Sequence, residues 1–456
     1  MEKIHFIGIG GIGMSGLAAI ALAKGSSVTG SDLSENSLTT QLKNNGASIS
    51  KGHSPENISP NTNLVVRSAC IKDDNPEVAK AGELGIPVIS RGEYLKRVME
   101  GFPVSIAVTG THGKTTTSAL IAHILECCGK DPTVIVGGEV NCFGSNAKYG
   151  RGDVIVAEVD ESDGTFQEIA STYALVTNIE REHMDHYASM DNVINAYKEF
   201  VGRVPPQGFF FYNAEDSAVR RLSDEAKCGK IDFGISDNYK AGCKHLKCER
   251  SIEFDFVFTG LNFGKIKSPL IGRYNALNLV GAIAVSMQMC LDFDTISEAV
   301  SSFSGIKRRF EVAGKVGNIE VIEDYAHHPT EISAVIQAAK DYGRGRIITV
   351  FQPHRYSRTR DLAQDFIYCF DDSDVLVLTD IYSAFEDQNE KAEAQDVFNR
   401  INKSRFEAMD FVKKEQIPEY VSGIARENDI VLVLGAGDIR EVASPIVEMI
   451  GKSHAK

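Results

Sequence analysis

The sequence predicts an α/β protein of three domains with mostly parallel sheets. Length is the first reason: 456 residues, at ~150 residues per domain, give about three domains. Second, a pattern of strand, glycine loop and helix restarts in three regions of the chain. Third, continuous apolar runs of strand length alternate with helical stretches in all three. Such runs suit parallel strands buried on both faces. The expected boundaries fall near residues 100 and 310, giving segments 1–99, 100–309 and 310–456.

The first region opens with the strand KIHFI from Lys3, the loop Gly8 to Gly13 and an apolar helix from Met14 to Lys24. A second strand, SSVTGSD, ends at Asp32. NLVVRS (63–68) and IPVIS (86–90) are shorter, and EYLKRVMEGFP (93–103) reads as a closing helix and linker. The second region opens with VSIAVTG (104–110) and a helix from about Thr115 to Cys128. Its further strands are TVIVGG, DVIVAEVD and YALVTN (173–178), and RYNALNLVGAIAVSMQMCL (273–291) is a long helix. The third region opens near Phe310, with strands IEVIED (319–324), RIITVF (346–351), VLVLTD (375–380) and DIVLVLGAG (429–437).

Composition removes several function classes. Lys plus Arg is 48 and Asp plus Glu is 62, so the net charge is −14, and the long-range field repels polyanions. Neither nucleic acid nor an anionic membrane is an expected partner. A small phosphorylated ligand needs only a local nest of amides and one or two cations. No apolar run approaches the ~18 residues of a membrane span, and the N-terminus lacks the build of a signal peptide. Nine cysteines, an odd number, lie scattered over positions 70 to 369. They read as reduced thiols in a cytoplasmic protein. Cys243, His245 and Cys248 lack a second Cys/His pair at metal spacing and read as ordinary residues. The expected state is a monomer or weak homodimer.

Gly8-Ile9-Gly10-Gly11-Ile12-Gly13 places G-x-G-x-x-G directly after a strand, with Asp32 at the end of the next strand. This is the dinucleotide fingerprint in its required context. Glycines let backbone N–H groups approach a pyrophosphate at a positive helix end, and the acidic residue takes a ribose hydroxyl. The loop alone fits a nicotinamide oxidoreductase, another nucleotide diphosphate or a structural turn. The second loop, Gly110-Thr111-His112-Gly113-Lys114-Thr115-Thr116, changes the reading. It also joins a strand to a helix, and Lys114 can reach β- and γ-phosphates while Thr115 ligates Mg²⁺. It departs from the full P-loop pattern in the position of its first glycine. A nicotinamide enzyme has no need of a γ-phosphate; two loops in one chain suggest two nucleotides.

At this point the chain resembles the Mur ligases. The resemblance rests on HFIGIGGIGMSGLA (5–18), GTHGKTTT (110–117), AEVDESD (157–163), TNIEREHMDHY (177–187) and RYNALN (273–278). It continues through KRRFE (307–311), EDYAHHPTE (323–331), FQPHRYSRTRDL (351–362) and GAGDI (435–439), in order across essentially the whole chain. GGIGMSG, HHPTE and PHRYSRTR point to the branch that adds the first amino acid. The family implies a Rossmann-like N-terminal domain for a UDP-sugar, a central ATPase and a Rossmann-like C-terminal domain. The implied reaction joins L-alanine to the lactyl carboxylate of UDP-N-acetylmuramate, with ATP going to ADP and phosphate through an acyl phosphate. A sister ligase attaching a recycled murein peptide is the nearest alternative. A nicotinamide oxidoreductase and a nucleotide-gated binding module without ligase activity are the alternatives from other classes.

Roles follow from the resemblance residue by residue. Gly10, Gly11, Ile12, Gly13 and Asp32 would hold the UDP-sugar. Lys114 would cradle the β- and γ-phosphates, and Thr115, Glu158 and His183 would hold Mg²⁺, with His186 a bystander. Asn275 and Asn278 match adenine-side contacts, although Tyr274 stands where the family usually has His. Arg309 and Asp324 resemble contacts that clamp ATP from the third domain. His327, Arg355 and Arg358 look like the amino-acid end. If a helical turn starts at Arg355, the two arginines share a face and grip carboxylate or phosphate oxygens bidentately. Lys198 lies about where some members carry a carbamylated lysine, but the alanine-adding branch is not expected to rely on one.

Overall fold

Strand β1 (Lys3–Ile7) anchors the first sheet. β2 (Ser27–Asp32) and β3 (Ser48–Lys51) lie on one side of it, β4 (Leu64–Arg67) and β5 (Val88–Ser90) on the other. All neighbours are parallel. Strand order therefore reverses at β1, where open α/β sheets bind ligands beyond the strand ends. The computed structural model of the chain describes all residues except 163, 344, 385, 387–395, 397, 455 and 456. Two compact units divide it. One is Met1–His245 with Phe254–Lys267 and Leu277–Ser304; the other is Leu246–Glu253 with Ser268–Ala276 and Gly305–Lys456.

The first helix runs over Ile12–Ala23, starting earlier than the sequence suggests because Gly11, in extended backbone, serves as its N-cap. A polar knot stabilises the sheet from below. Glu77 is fully buried and accepts from His5 Nε2 (3.1 Å), Ser31 Oγ (2.6 Å), Asn57 Nδ2 (2.6 Å) and the Ser54 N–H (3.2 Å). Burial alone would raise its pKa, but the hydrogen bonds from His5, Asn57 and Ser31 outweigh it and hold the carboxyl at about 2.

The second sheet has ten strands: β6 (Val104–Thr109), β7 (Thr133–Val140), β8 (Ser145–Lys148), β9 (Val154–Glu158), β10 (Tyr173–Val176), β11 (Phe209–Asn213), β12 (Gly229–Phe233), β13 (Ala241–Cys248), β14 (Ile252–Phe258) and β15 (Leu261–Ser268). Their order is β15-β14-β13-β12-β11-β10-β6-β9-β7-β8. β6 lies between β9 and β10, parallel to both. That position brings the ends of three strands, and the loops that follow them, to one edge. β8 pairs antiparallel with β7, and β13 to β15 are joined by short turns. The sequence did not mark β13 to β15 as strands. β14 alternates buried and part-exposed residues, so it lacks the continuous apolar run that reveals a strand covered on both faces. The Lys114–Cys127 helix is almost wholly buried, and one apolar cluster runs from Phe6 and Tyr94 through Phe166, Tyr197 and Phe200.

The third sheet, in the second unit, orders β16 (Glu311–Val316), β17 (Ile319–Asp324), β21 (Ile430–Leu434), β18 (Ile347–Phe351), β19 (Val375–Leu378) and β20 (Ala408–Phe411) side by side. Only β16 is antiparallel to its neighbour. Alternate residues face opposite cores: Ile347, Phe351, Leu432 and Leu434 on one side, Ile348, Val350, Val431 and Val433 on the other. Among the described residues no helix is long and apolar enough to cross a membrane.

The Glu77 knot makes a testable stability claim. Glu77→Gln keeps the shape but mismatches buried donors, so it should cost about 1–3 kcal/mol. Because the native pKa is depressed, this stabilisation is complete above the ordinary carboxylate pKa. It is lost as pH falls from about 4.5 toward 2. Urea denaturation of both proteins should show a gap that is constant near neutrality and shrinks over that acid window.

Candidate active site

The GTHGKTTT loop leaves β6 and enters the Lys114–Cys127 helix with Gly110 at φ +132° and Gly113 at φ +81°. Both conformations favour glycine, and both positions are crowded. A Cβ on Gly110 would lie 2.1 Å from Thr177 Oγ1, and one on Gly113 would lie 2.5 Å from Asn278 Oδ1. The TNIE segment after β10 straps the loop. Asn178 accepts from the His112 N–H (2.8 Å) and donates Nδ2 to the His112 carbonyl (2.9 Å). Thr177 Oγ1 donates to that carbonyl (2.6 Å), and the Glu180 N–H donates to Thr111 Oγ1 (2.8 Å). His112 Nε2 is 3.5 Å from Glu180. Thr115 and Thr116 are buried in the first helical turn.

Lys114 Nζ donates to Glu161 (2.7 and 3.0 Å) and to the Gly110 carbonyl (2.6 Å). Burial opposes the ammonium charge, but Glu161, Asp160 and Glu158 outweigh it and hold the lysine pKa above its ordinary value. Burial pushes the Glu161 carboxyl up to about 7, against the pull of Lys114. Asp160 stays at about 2; burial is countered by Arg91 and Lys114. Donor atoms of Asp160, Glu161 and His183 lie within 4.8 Å of one another, with His183 Nε2 3.9 Å from Glu161. Glu158, at the end of β9, instead accepts from the Gly137 N–H (2.6 Å). His183 has φ +56° and begins a short helix, Met184–Tyr187, whose Tyr187 OH donates to the Glu161 carbonyl (2.5 Å). Asp163 lies outside the described residues. The ring of His186 stands against Gly164 and Tyr187, and Lys198 pairs with Glu225 at 3.2 Å. His245 is exposed and bonded to Asp255, and Cys243 is buried. Among the described residues these two form no metal group with Cys248.

At the first loop, the Gly10 N–H donates to Asp32 Oδ2 (2.8 Å), and the Asn36 amide donates to the Gly10 carbonyl (3.0 Å). Asp32 thus braces the loop itself. A Cβ on Gly10 would lie 2.9 Å from Asp32 Oδ2. Gly11 caps the helix, Ile12 opens it, and the Ile12 carbonyl accepts from Asn146 of β8 (2.5 Å). Gly13 lies under the Arg91 guanidinium, whose Nη2 donates to Asp160 (3.0 Å).

In the second unit, Asp324 ends β17 and accepts from the N–H groups of Phe310 and Ala326, both at 2.7 Å. Burial raises its pKa to about 6, with Arg309 opposing the rise. Arg309 lies over the Tyr325 ring at 5.3 Å and 3.7 Å from Glu331. Asn275 Nδ2 donates to the Ile271 carbonyl (2.8 Å), and the Tyr274 ring covers Gly272. The HHPTE run is partly a helix start. His328 and Glu331 form a capping box and Pro329 opens the helix Pro329–Tyr342. His327 Nδ1 is 3.0 Å from the Tyr325 carbonyl. A helical turn does start at Arg355, whose carbonyl accepts from the Thr359 N–H (3.3 Å), but Arg355 is its N-cap and not a member of the helix. It has φ +72° and precedes the helix Tyr356–Asp361, which Glu386 caps through the N–H groups of Tyr356 (2.6 Å) and Ser357 (3.2 Å). Arg355 Nε is 3.2 Å from Glu386, and Arg358 Nη1 is 3.3 Å from the His354 carbonyl. Burial and both arginines lower the His354 pKa to about 4.

Three family descriptions match almost end to end: "Mur ligase family, catalytic domain" over residues 3–103, "Mur ligase middle domain" over 108–286, and "Mur ligase, glutamate ligase domain" over 308–437. The chain belongs to the Mur ligase family. It is 39% identical to the UDP-N-acetylmuramate–L-alanine ligase of Trichlorobacter lovleyi over 99% of each chain. It is 40% identical to that of Geobacter sulfurreducens over 96% of each. The crystal structure of UDP-N-acetylmuramate–alanine ligase from Thermotoga maritima superimposes with a TM-score of 0.82 at 31% identity, covering 99% of this chain and 100% of that one. A murein peptide ligase from Psychrobacter arcticus, 22% identical, shares the fold with a TM-score of 0.73, covering 99% of each chain.

In this Mur ligase the sequence motifs contain most of the P-loop surroundings, but not their contacts. Asp160 and Glu161 lie inside AEVDESD, where Glu158 alone drew a role, and Asn178 lies inside TNIE. Arg91 carries no local signal. Asn178→Ala should free the His112 N–H and leave its carbonyl held by Thr177 alone. A fall of about tenfold or more in kcat/KM for ATP is expected, with sugar-nucleotide affinity in the other loop unchanged. Steady-state kinetics and calorimetry check the two halves; an unchanged kcat/KM would remove the strap from the site.

Proposed function

We propose that this Mur ligase forms the amide between L-alanine and the lactyl carboxylate of UDP-N-acetylmuramate, with ATP going to ADP and phosphate. The reaction belongs to peptidoglycan precursor synthesis, and the proposed location is the cytoplasm. The carrying observation is a phosphate loop whose lysine faces an acidic segment at one sheet edge, in a chain about 40% identical along its length to ligases of that name. A nicotinamide reading of the first loop leaves all of this without a role.

A carboxylate resists attack because it is negatively charged and lacks a leaving group. Its oxygen therefore attacks the γ-phosphorus, ADP leaves, and an acyl phosphate forms. The alanine amine then adds to the acyl carbon, loses a proton, and expels phosphate. Lys114 neutralises β- and γ-oxygens in the first step, and the backbone N–H groups of residues 113–116, at the helix start, orient them, those of Thr111 and His112 being taken by Asn178. Thr115, Glu158 and His183, with Asp160 and Glu161 close by, offer mainly the hard oxygen donors that suit Mg²⁺. Mg²⁺ held there would supply charge neutralisation for the transferred phosphoryl group. Asn275, Asn278, Arg309 and Asp324 serve the adenosine side. His327 positions or deprotonates the amine, and Arg355 and Arg358 hold anionic oxygens of the amino acid or acyl phosphate. The loop Gly10 to Gly13 seats the UDP diphosphate through the amides of Ile12 and Gly13 at the helix start, those of Gly10 and Gly11 being taken by Asp32 and by the Gly8 carbonyl.

Phosphate release is expected only when ATP, Mg²⁺, UDP-N-acetylmuramate and L-alanine are all present. ATP-independent product, or NADH turnover at 340 nm, would sink this reading. Lys114→Ala and Glu158→Ala should each lower kcat by on the order of 10²–10³ while sparing UDP-sugar binding. Arg355→Lys and Arg358→Lys keep charge but lose the fork, so they should lower kcat or raise KM for alanine. Unchanged constants would make that segment a solvated basic loop.

A further inference from the structure

Arg91 opens the helix Arg91–Glu100 at the end of β5. Its Nη1 lies 2.9 Å, and its Cδ 3.2 Å, from where a Cβ on Gly13 would be. The guanidinium therefore crosses the first turn of the Ile12–Ala23 helix, which explains the third glycine of the fingerprint. Helix amides carry positive partial charge at that end. A cation placed there gains from an anion beside it, and Asp160 is such an anion, 3.0 Å from Nη2. Asp160 also groups with Glu161 and His183, and Glu161 grips Lys114. One line of contacts thus joins the first glycine loop to the lysine of the second.

We propose that Arg91 is a positioning residue that exchanges Asp160 for the diphosphate of the sugar nucleotide and so couples the two nucleotide loops. The proposal rests on the UDP-sugar reading of the first loop. Without nucleotide, Asp160 competes for the guanidinium. With the diphosphate seated on the loop amides, Arg91 pairs with its oxygens, and the Asp160 charge falls on Lys114 and on the cation beside it. Sugar nucleotide then strengthens the hold on Mg²⁺-ATP, and by linkage the reverse holds equally.

The test is calorimetry of UDP-N-acetylmuramate binding to the full chain without ATP, on proteins checked for an unchanged melting midpoint. Asp160→Asn removes the competitor, so affinity should rise roughly threefold to fivefold, the range of a part-exposed ion pair. Arg91→Ala should weaken binding, and Asp160→Asn should then add nothing in the Arg91→Ala background. A pair that only clamps the two sheets gives the opposite sign, with Asp160→Asn weakening binding, and that result overturns the proposal. If Asp160→Asn does not fold, a second measurement decides. A non-hydrolysable ATP analogue with Mg²⁺ should tighten sugar-nucleotide binding in the wild type but not in Arg91→Ala; equal tightening in both overturns the coupling. Absence of any UDP-sugar binding by the wild type would overturn the functional reading instead.

Discussion

A buried lysine must be kept charged if it is to meet phosphate, and the acidic groups around Lys114 answer that requirement. Lys114 is 14% exposed, so an unpaired ammonium there would carry a heavy desolvation cost. Glu161 supplies the counter-charge by direct contact, and Glu158 and Asp160 add to the field. Too many carboxylates then crowd one strand end. Arg91 relieves Asp160, the Gly137 amide relieves Glu158, and Tyr187 fixes the Glu161 backbone. The acidic segment is thus a counter-charge held in place, which suits the phosphate and cation proposed to bind there.

The two glycine loops share a principle and differ in what holds them. Each presents amides at a helix start beyond a parallel strand. The first is braced by an aspartate from the neighbouring strand, and the second by two polar residues after β10. In a dinucleotide site the acidic residue at the end of the second strand reaches a ribose. Here Asp32 is bonded to the Gly10 amide, so the fingerprint names a pyrophosphate-type loop without naming a nicotinamide.

In the second unit, the residues proposed for the amino-acid end are held by the chain's own groups. Glu386 caps the helix after Arg355, and His354 is kept neutral by burial and by the two arginines. Asp324 locks the turn through Phe310, in which Arg308 and Phe310 adopt left-handed backbone. These contacts fix where each cation stands, which matters more for a two-pronged grip than the charge itself.

The sequence by itself determined the α/β class, most of the parallel strands, though not β3, β11, β12 or β20, and the two glycine loops between strand and helix. Each is a local pattern: apolar runs buried on two faces, and glycines where the backbone must turn or a neighbour press close. It determined the candidate P-loop lysine for the same reason. The β13 to β15 strands escaped because a half-solvated strand has no continuous apolar run. The partners of the site residues were decided by tertiary structure alone. Glu161 reaches Lys114, Arg91 reaches Asp160, and Asn178 reaches His112 across 47, 69 and 66 residues. Such contacts depend on which strands lie side by side, and β9-β6-β10 adjacency is a property of the whole sheet. Arg355 shows the same limit at short range: its spacing from Arg358 suggested a shared helical face, and a positive φ places Arg355 at the helix entrance, outside the helix that holds Arg358.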